Sequence, residues 1–342
     1  MDKKYIFTLM IVAGIFSVFF VLQCRKNKEP ELRYIQDEGL IFGTLYSIKY
    51  CYSEDIAGDI DAELRKVDST FSTFNPASII SKINKNDSTV VLNDWFIKLF
   101  HKSEEISAQT DGAFDMTVAP LVNLWGFGFE KKDSAGQTVI DSLLQFTGYK
   151  TVRLENNRIK KEKPQTMLDA SAIAKGYSCD IIASLLESKG ITDYLIEIGG
   201  EMRGKGVNSS GKCWVVGIRK PTETGYINEP LQQKIRFCEG KGLATSGNYR
   251  NFYYKDGKKY AHTIDPKTGY PVQHRLLSAS VIASDCMTAD AYATAFMVMG
   301  LEKSEKLLKQ LPELDVFFIY TDEKENWQVY YTEGFKKYMI IE

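Results

Sequence analysis

Residues 250–272, RNFYYKDGKKYAHTIDPKTGYPV, set two aromatic-rich runs on either side of Asp256-Gly257 and follow them with a turn punctuated by proline and glycine. Asp-Gly between strand-like runs predicts a tight hairpin, so these strands pair antiparallel with no helix between them. Further strand-like runs cover 43–52, 151–156, 193–200, 212–221, 234–240, 277–284 and 315–322. Helical periodicity covers 56–71, 93–110, 171–190 and 288–300. Strands outnumber helices, and many follow one another directly. The expected fold class is α+β, a single compact catalytic unit of mixed or antiparallel sheets with flanking helices and room for two lobes, rather than a doubly wound sheet.

The same stretch raises a chemical question, because the chain has only three histidines and one of them, His262, stands just before Asp265-Pro266. Pro266 fixes its own φ and biases Asp265 toward an extended backbone, and Gly269 and Pro271 add two more turn signals. Such a loop is rigid enough to hold a side chain at a chosen point. On these residues alone, a polar strand histidine beside a hairpin turn is an equally simple reading.

Composition bounds the rest. The 342 residues are 44% hydrophobic and 25% charged, values of an ordinary globular chain long enough to bury a large core. The formal charge is −1, and it becomes −4 when residues 1–30 are left out, so nucleic acid is not an expected partner. Residues 1–24, MDKKYIFTLMIVAGIFSVFFVLQC, carry lysines ahead of an apolar run from Tyr5 to Leu22 that stops near Cys24. This is an export segment: either a lipoprotein signal that leaves a lipid on Cys24, or an uncleaved helix just long enough to span. Both outcomes put the rest in the bacterial cell envelope, tethered to the periplasmic side of the inner membrane. Residues 25–40 are read as a tether and 41–342 as the catalytic domain. The other five cysteines show no CxxC and no Cys/His pairing, and they read mainly as buried small hydrophobes, with a single disulfide left open.

Four segments carry more chemistry than packing requires. In DASAIAKGYSCD, Asp169 and Lys175 bracket small residues leading into a helix, where exposed backbone groups and a cation can meet phosphate; an N-capped helix with a solvated lysine fits the same residues. IEIGGEMRGKG ends a strand in two glycines, suited to a ligand's close approach or to a bulge. In TADAYATAFMVMG, Asp290 and Thr294 are four apart and share a face among small and apolar neighbours. A carboxylate and a hydroxyl suit Mg²⁺, while capping by Thr288 with Asp290 in the first turn is the rival. Finally, LATSGNYRNFY and AHTIDPKTGYPV are expected to put Thr245, Ser246, Gly247 and His262 on neighbouring hairpin strands.

Taken together and in this order, GAFDMTVAPLVNLWGFG, DASAIAKGY, IEIGGEMRGKG, ATSGNYR, HTIDPKTGYP and TADAYATAFMVMG resemble the ApbE-type FAD:protein FMN transferases, from about FGT at 42 to the end of the TADAYAT helix. The resemblance implies an exported lipoprotein that binds FAD and Mg²⁺, cleaves the FAD pyrophosphate, attaches FMN through a phosphoester to a threonine or serine of an exported or membrane-associated redox protein, and releases AMP. By position it implies Mg²⁺ ligation by Asp290, Thr294 and the Ala172 carbonyl. It implies FAD contacts from Phe42, Phe74, Ala113, Phe114, Asp115, Asp169, Lys175 and Ile264, and places His262 beside the scissile phosphate as the base for the acceptor hydroxyl. Asp265 would then orient the imidazole or lie near the metal. The family's usual DLGGIAKGY, IGGD and SGDYR stand here as DASAIAKGY, IGGE and SGNYR. Two other functions stand beside it: an Mg²⁺-dependent FAD pyrophosphatase with the same metal site, delivering FMN to water, and a flavin-binding lipoprotein without turnover.

Overall fold

The computed structural model describes residues 31–128, 136–221, 231–248, 252–255 and 258–341. The export segment and Cys24 lie outside the described residues, as does the Asp256-Gly257 turn. The first strands are β1 (Arg33–Ile41), β2 (Thr44–Tyr52), β3 (Val152–Glu155), β4 (Arg158–Lys161), β5 (Tyr194–Ile198), β6 (Glu201–Lys205) and β7 (Trp214–Arg219). They are followed by β8 (Leu231–Phe237), β9 (Glu239–Gly247), β10 (Phe252–Lys255), β11 (Lys258–Ala261), β12 (Leu276–Ala283), β13 (Asp315–Thr321) and β14 (Trp327–Tyr331). Eight of them form one sheet in the order β1-β2-β5-β6-β9-β12-β13-β14, and every neighbouring pair is antiparallel. The hairpins β3–β4, β7–β8 and β10–β11 stand apart.

The helices are α1 (Ala57–Phe71), α2 (Ile79–Asn84), α3 (Asp94–Gln109), α4 (Ala119–Leu124), α5 (Gln137–Leu144), α6 (Ala174–Ser188), α7 (Cys286–Met299) and α8 (Leu301–Leu308). Strand residues alternate between two cores, as a pleat of period two requires. Val281, Val316 and Phe318 join Phe71, Phe96 and Phe296 on the helical face, whereas Ile282, Phe317 and Ile319 join Val216, Ile235 and Phe335 on the other. With both faces covered, β12 is buried almost throughout, so its sequence shows no clean polar alternation.

Helix α7 lies deepest and is apolar on nearly every side, with Ala289, Ala291, Ala293, Ala295 and Phe296 all inaccessible. Its N-cap is Asp285, whose Oδ1 accepts from Thr288 N at 2.8 Å. The expected cap at Thr288 is therefore one turn too late, and Asp290 sits beyond the first turn. Asp180 on α6 secures the same end by accepting from the N–H groups of Cys286 (2.9 Å) and Met287 (2.8 Å).

Two other expectations change, and one alternative left open, a single disulfide, is realised. Residues 33–40, assigned to the tether, form most of β1, an edge strand in register with β2 from Arg33↔Tyr52 to Ile41↔Thr44. Thr245 to Gly247 do not share a hairpin with His262: β9 pairs with β6 and β12, while His262 follows β11, whose partner is β10. Cys213 and Cys238 form a disulfide that ties the start of β7 to the corner between β8 and β9, whereas Cys51, Cys179 and Cys286 are free thiols. Among the described residues no helix is long and apolar enough to cross a membrane.

Candidate functional site

The centre of the site is the crossing of α6 and α7, and a glycine sets its spacing. A Cβ on Gly176 would stand 2.2 Å from the Cys286 carbonyl oxygen and 2.7 Å from Asp290 Cβ, so only glycine lets the helices approach this closely. At that contact Gly176 N–H donates to Asp290 Oδ2 at 2.9 Å. One turn further along α7, Thr294 Oγ1 meets Ser246 Oγ of β9 at 3.2 Å. Asp290 and Thr294 thus share a face directed at the start of α6 and at β9, as their spacing predicts.

Asp290 is only 2% exposed. Burial raises its carboxyl pKa to about 7, the Glu201 carboxylate adds to that rise, and Lys175 and the Gly176 N–H oppose it. A buried carboxylate of raised proton affinity beside a hydroxyl is a hard-oxygen donor set, the chemistry a small divalent cation takes. Ala172 lies in the turn just before α6 and is half-buried, where its carbonyl precedes the first regular helical bonds. Among the described residues no three His, Cys, Asp or Glu side chains cluster as a metal cage, so a cation here would depend on these mixed oxygen donors.

Lys175 is the second residue of α6 and is 32% exposed on its side chain. Burial alone would lower its pKa, but the Glu201 carboxylate, with Oε1 at 2.7 Å from Nζ, and Asp290 outweigh it and raise it. Ahead of this helix, Asp169 Oδ1 accepts from Ser171 N at 2.8 Å, and burial raises its pKa against that hydrogen bond. Asp169 N donates to the Met116 carbonyl at 2.7 Å, which docks DASAIAKGY against AFDMT.

The remaining predicted residues surround this centre in different ways. Phe42 has φ 54° in the two-residue turn between β1 and β2, an uncommon backbone for a bulky side chain, and packs against the helical core. Gly199 N–H bonds the Leu45 carbonyl at 3.0 Å, so that turn lies beside the start of β6. Phe74 is 74% exposed. Ala113 and Phe114 are buried. The Asp115 carboxylate accepts from Thr117 N, Thr117 Oγ1 and Tyr149 N at 2.6–2.8 Å, a structural set of partners; burial raises its pKa while these bonds oppose the rise.

His262 is half-buried, with its ring edge-on to Phe127 at 6.3 Å. Its turn is held from several sides. Asp265 O accepts from Gly269 N at 2.8 Å, Asp265 N donates to Tyr270 O at 2.9 Å, and Trp125 Nε1 reaches Gly269 O at 2.8 Å. Ile264 is buried with Leu121, Trp125 and Ile140 in a small separate core. The carboxylate of Asp265 accepts from Lys267 N at 2.8 Å, which makes it a cap of its own turn. Thr263 Oγ1 donates to Asn248 Oδ1 at 2.6 Å, linking the turn to the end of β9 and hence to Ser246.

Sequence reasoning missed the close approach at Gly176, the capping of α7 by Asp180 and the Lys175–Glu201 pair. A glycine inside a helical run was the available signal for the first. A groove of about 300 Å³ lined by Ile83, Asn86, Arg158, Lys161 and Pro164 shares no residue with this site.

A model of the ApbE family matches residues 42–318. The FAD:protein FMN transferase of Haemophilus influenzae is 37% identical, with 86% of this chain and 88% of that protein aligned. That of Escherichia coli is 33% identical over 97% of each chain. The solved flavin transferase ApbE of Vibrio cholerae superposes with a TM-score of 0.81 at 33% identity, covering 90% of this chain and all of that one. An apo flavinyl transferase ApbE of Pseudomonas stutzeri gives 0.79 at 29% identity, covering 90% and 96%.

Proposed function

The chain belongs to the ApbE family and transfers flavin from FAD to protein, and from that premise we propose the residues and the acceptor chemistry by which it does so. The reading rests chiefly on one face of α7 that carries buried Asp290 and half-buried Thr294, opposite Gly176 and Ser246 respectively. Asp290, Thr294 and the Ala172 carbonyl would hold Mg²⁺, which when bound neutralises charge on the FAD phosphates. Lys175 and Asp169 would contact FAD, together with Phe42, Phe74, Ile264 and the segment from Ala113 to Asp115.

The acceptor is a threonine or serine hydroxyl of an exported redox protein. His262 takes the hydroxyl proton, the oxygen bonds the FMN phosphorus, and the bond from that phosphorus to the bridging oxygen breaks, so that AMP leaves with the electron pair. His262 suits this because its turn is fixed by backbone bonds and by Trp125, which limits the geometry the imidazole can sample. Action in the cell envelope, with an anchor at Cys24 or an N-terminal helix, is supported by the apolar N-terminal run and by the Cys213–Cys238 disulfide, a bond that persists in oxidising compartments.

The test is to incubate the protein with FAD, Mg²⁺ and candidate exported redox subunits and weigh the subunits. A mass gain of one FMN with equimolar AMP is the expected result. Free FMN and AMP with no mass gain on any subunit would replace transfer by hydrolysis.

A further inference from the structure

Glu201 opens β6, directly after Gly199-Gly200, the two-residue turn that joins it to β5 in the register Ile198↔Glu201. Both glycines have positive φ, 66° and 105°, as a tight hairpin turn with this strand twist requires. The corner is crowded as well: a Cβ on Gly199 would lie 3.0 Å from Thr44 Cγ2 and 3.2 Å from Lys175 Cδ. The lysine stem therefore passes over bare backbone, and its ammonium reaches the Glu201 carboxylate.

That carboxylate is 3% exposed. Oε1 accepts from Lys175 Nζ at 2.7 Å, and Oε2 has no hydrogen-bond partner among the described residues. An anion kept this far from water, with one bonded oxygen, directs its charge at its single cationic partner. Lys175 therefore offers an incoming phosphate little unbalanced positive charge, and the Asp290 carboxylate nearby reduces it further. A diphosphate entering such a site meets an ammonium already paired with the Glu201 carboxylate, with the Asp290 carboxyl close by.

We propose that Glu201 is a positioning residue that masks Lys175, so that the cation-free protein holds FAD weakly and the bound cation supplies the surplus positive charge that seats the diphosphate. The inference rests on the reading in which Lys175 meets FAD and Asp290 holds the cation. Its benefit is order: FAD is gripped when the charge that activates it is already in place, which restrains unproductive capture of the nucleotide.

Flavin fluorescence titrations on the full chain in detergent, in EDTA and in Mg²⁺, test this. In EDTA, Glu201→Gln should bind FAD roughly tenfold more tightly than wild type, the scale of one freed charge-assisted hydrogen bond. The further gain from Mg²⁺ should shrink. Glu201→Asp keeps the charge and should retain the wild-type dependence on Mg²⁺, a rescue that a purely structural role would not give. The double variant Lys175→Met/Glu201→Gln supplies a second measurement: with both charges of the pair removed, the gain in EDTA seen for Glu201→Gln should disappear, because it comes from the freed ammonium. Equal affinity of folded wild type and Glu201→Gln in EDTA, or persistence of the full gain in the Lys175→Met/Glu201→Gln double variant, would overturn the masking role. Asp290→Ala separates the two readings. If it kept the full wild-type response to Mg²⁺, the metal assignment would fall, while the comparison in EDTA would still decide the role of Glu201.

Discussion

The crossing of α6 and α7 and the turn that carries His262 hold their functional groups by opposite means. At the crossing, Asp290 and Thr294 project from a helix buried in the main core, clamped by Gly176 on one side and by Asp180 at its N-terminus. The turn stands outside the eight-stranded sheet, with its own hydrogen bonds, a small apolar core and a link to the end of β9 through Thr263 and Asn248. On the proposed reading, charge neutralisation would thus be built into the core and the base mounted on a separate rigid piece. A phosphoryl transfer that needs fixed charges and a base aligned with an incoming protein segment is served by that division.

The largest expected effect breaks the core half of the comparison. Asp290→Ala should reduce FMN transfer to background while the protein stays folded, the relief of a buried carboxyl offsetting the hydrogen bond lost from Gly176 N–H. An active, folded Asp290→Ala protein would remove α7 from the chemistry. His262→Ala attacks the other half and should lower transfer by roughly 10²- to 10⁴-fold, the usual range for losing a general base. FAD affinity at saturating Mg²⁺ should stay near wild type, since on the proposed reading Lys175, Asp169 and the cation, not His262, would hold the nucleotide. Near-normal transfer by folded His262→Ala would reduce the turn to a structural feature.

The two regions were also unequally legible in the sequence. The helix spacing of Asp290 and Thr294 is a local property, and the structure keeps it. What brings Lys175, Glu201 and Ser246 to that face is the strand order β5-β6-β9-β12, which no single segment encodes. Sequence proximity misplaced His262 for the same reason: β9 pairs forward with β12, skipping the hairpin that lies between them in the chain. Strand β6 escaped notice because EMRGK reads as a polar segment after two glycines, although its first residue is the buried partner of Lys175. Strand β1 escaped because RYIQDEGLI sits at the sheet edge and buries only part of one face. The α+β class survived these misses, since the antiparallel pattern depends on many short strands and not on any one of them.

A smaller effect sharpens the claim that the crossing is rigid. Gly176→Ala forces a methyl group against the Cys286 carbonyl, and backbone on both sides leaves little room to yield. It should cost about 1–3 kcal/mol of stability, the usual range for overpacking a core. Because the same methyl pushes on Asp290 Cβ, the Mg²⁺ concentration giving half-maximal transfer should rise as well. A loss of stability with an unchanged Mg²⁺ requirement would mean that Asp290 tolerates movement and that the clamp serves folding alone.

The smallest effect asks whether the His262 turn is rigid by itself or through its neighbours. Trp125 donates to Gly269 O at 2.8 Å and stacks on Tyr260 at 5.3 Å, so it anchors the far end of the turn to the small core. Trp125→Phe removes the donor and keeps an aromatic ring, at a cost of about 1 kcal/mol for the lost hydrogen bond. The bonds from Asp265 O to Gly269 N and from Asp265 N to Tyr270 O remain, so the turn should persist but drift against β9. Transfer should fall by roughly three- to tenfold through misalignment of the imidazole, with FAD affinity unchanged. A drop as large as that of His262→Ala would make Trp125 the main support of the base. An unchanged rate would assign the rigidity to the proline-bearing turn and its link through Thr263 to Asn248.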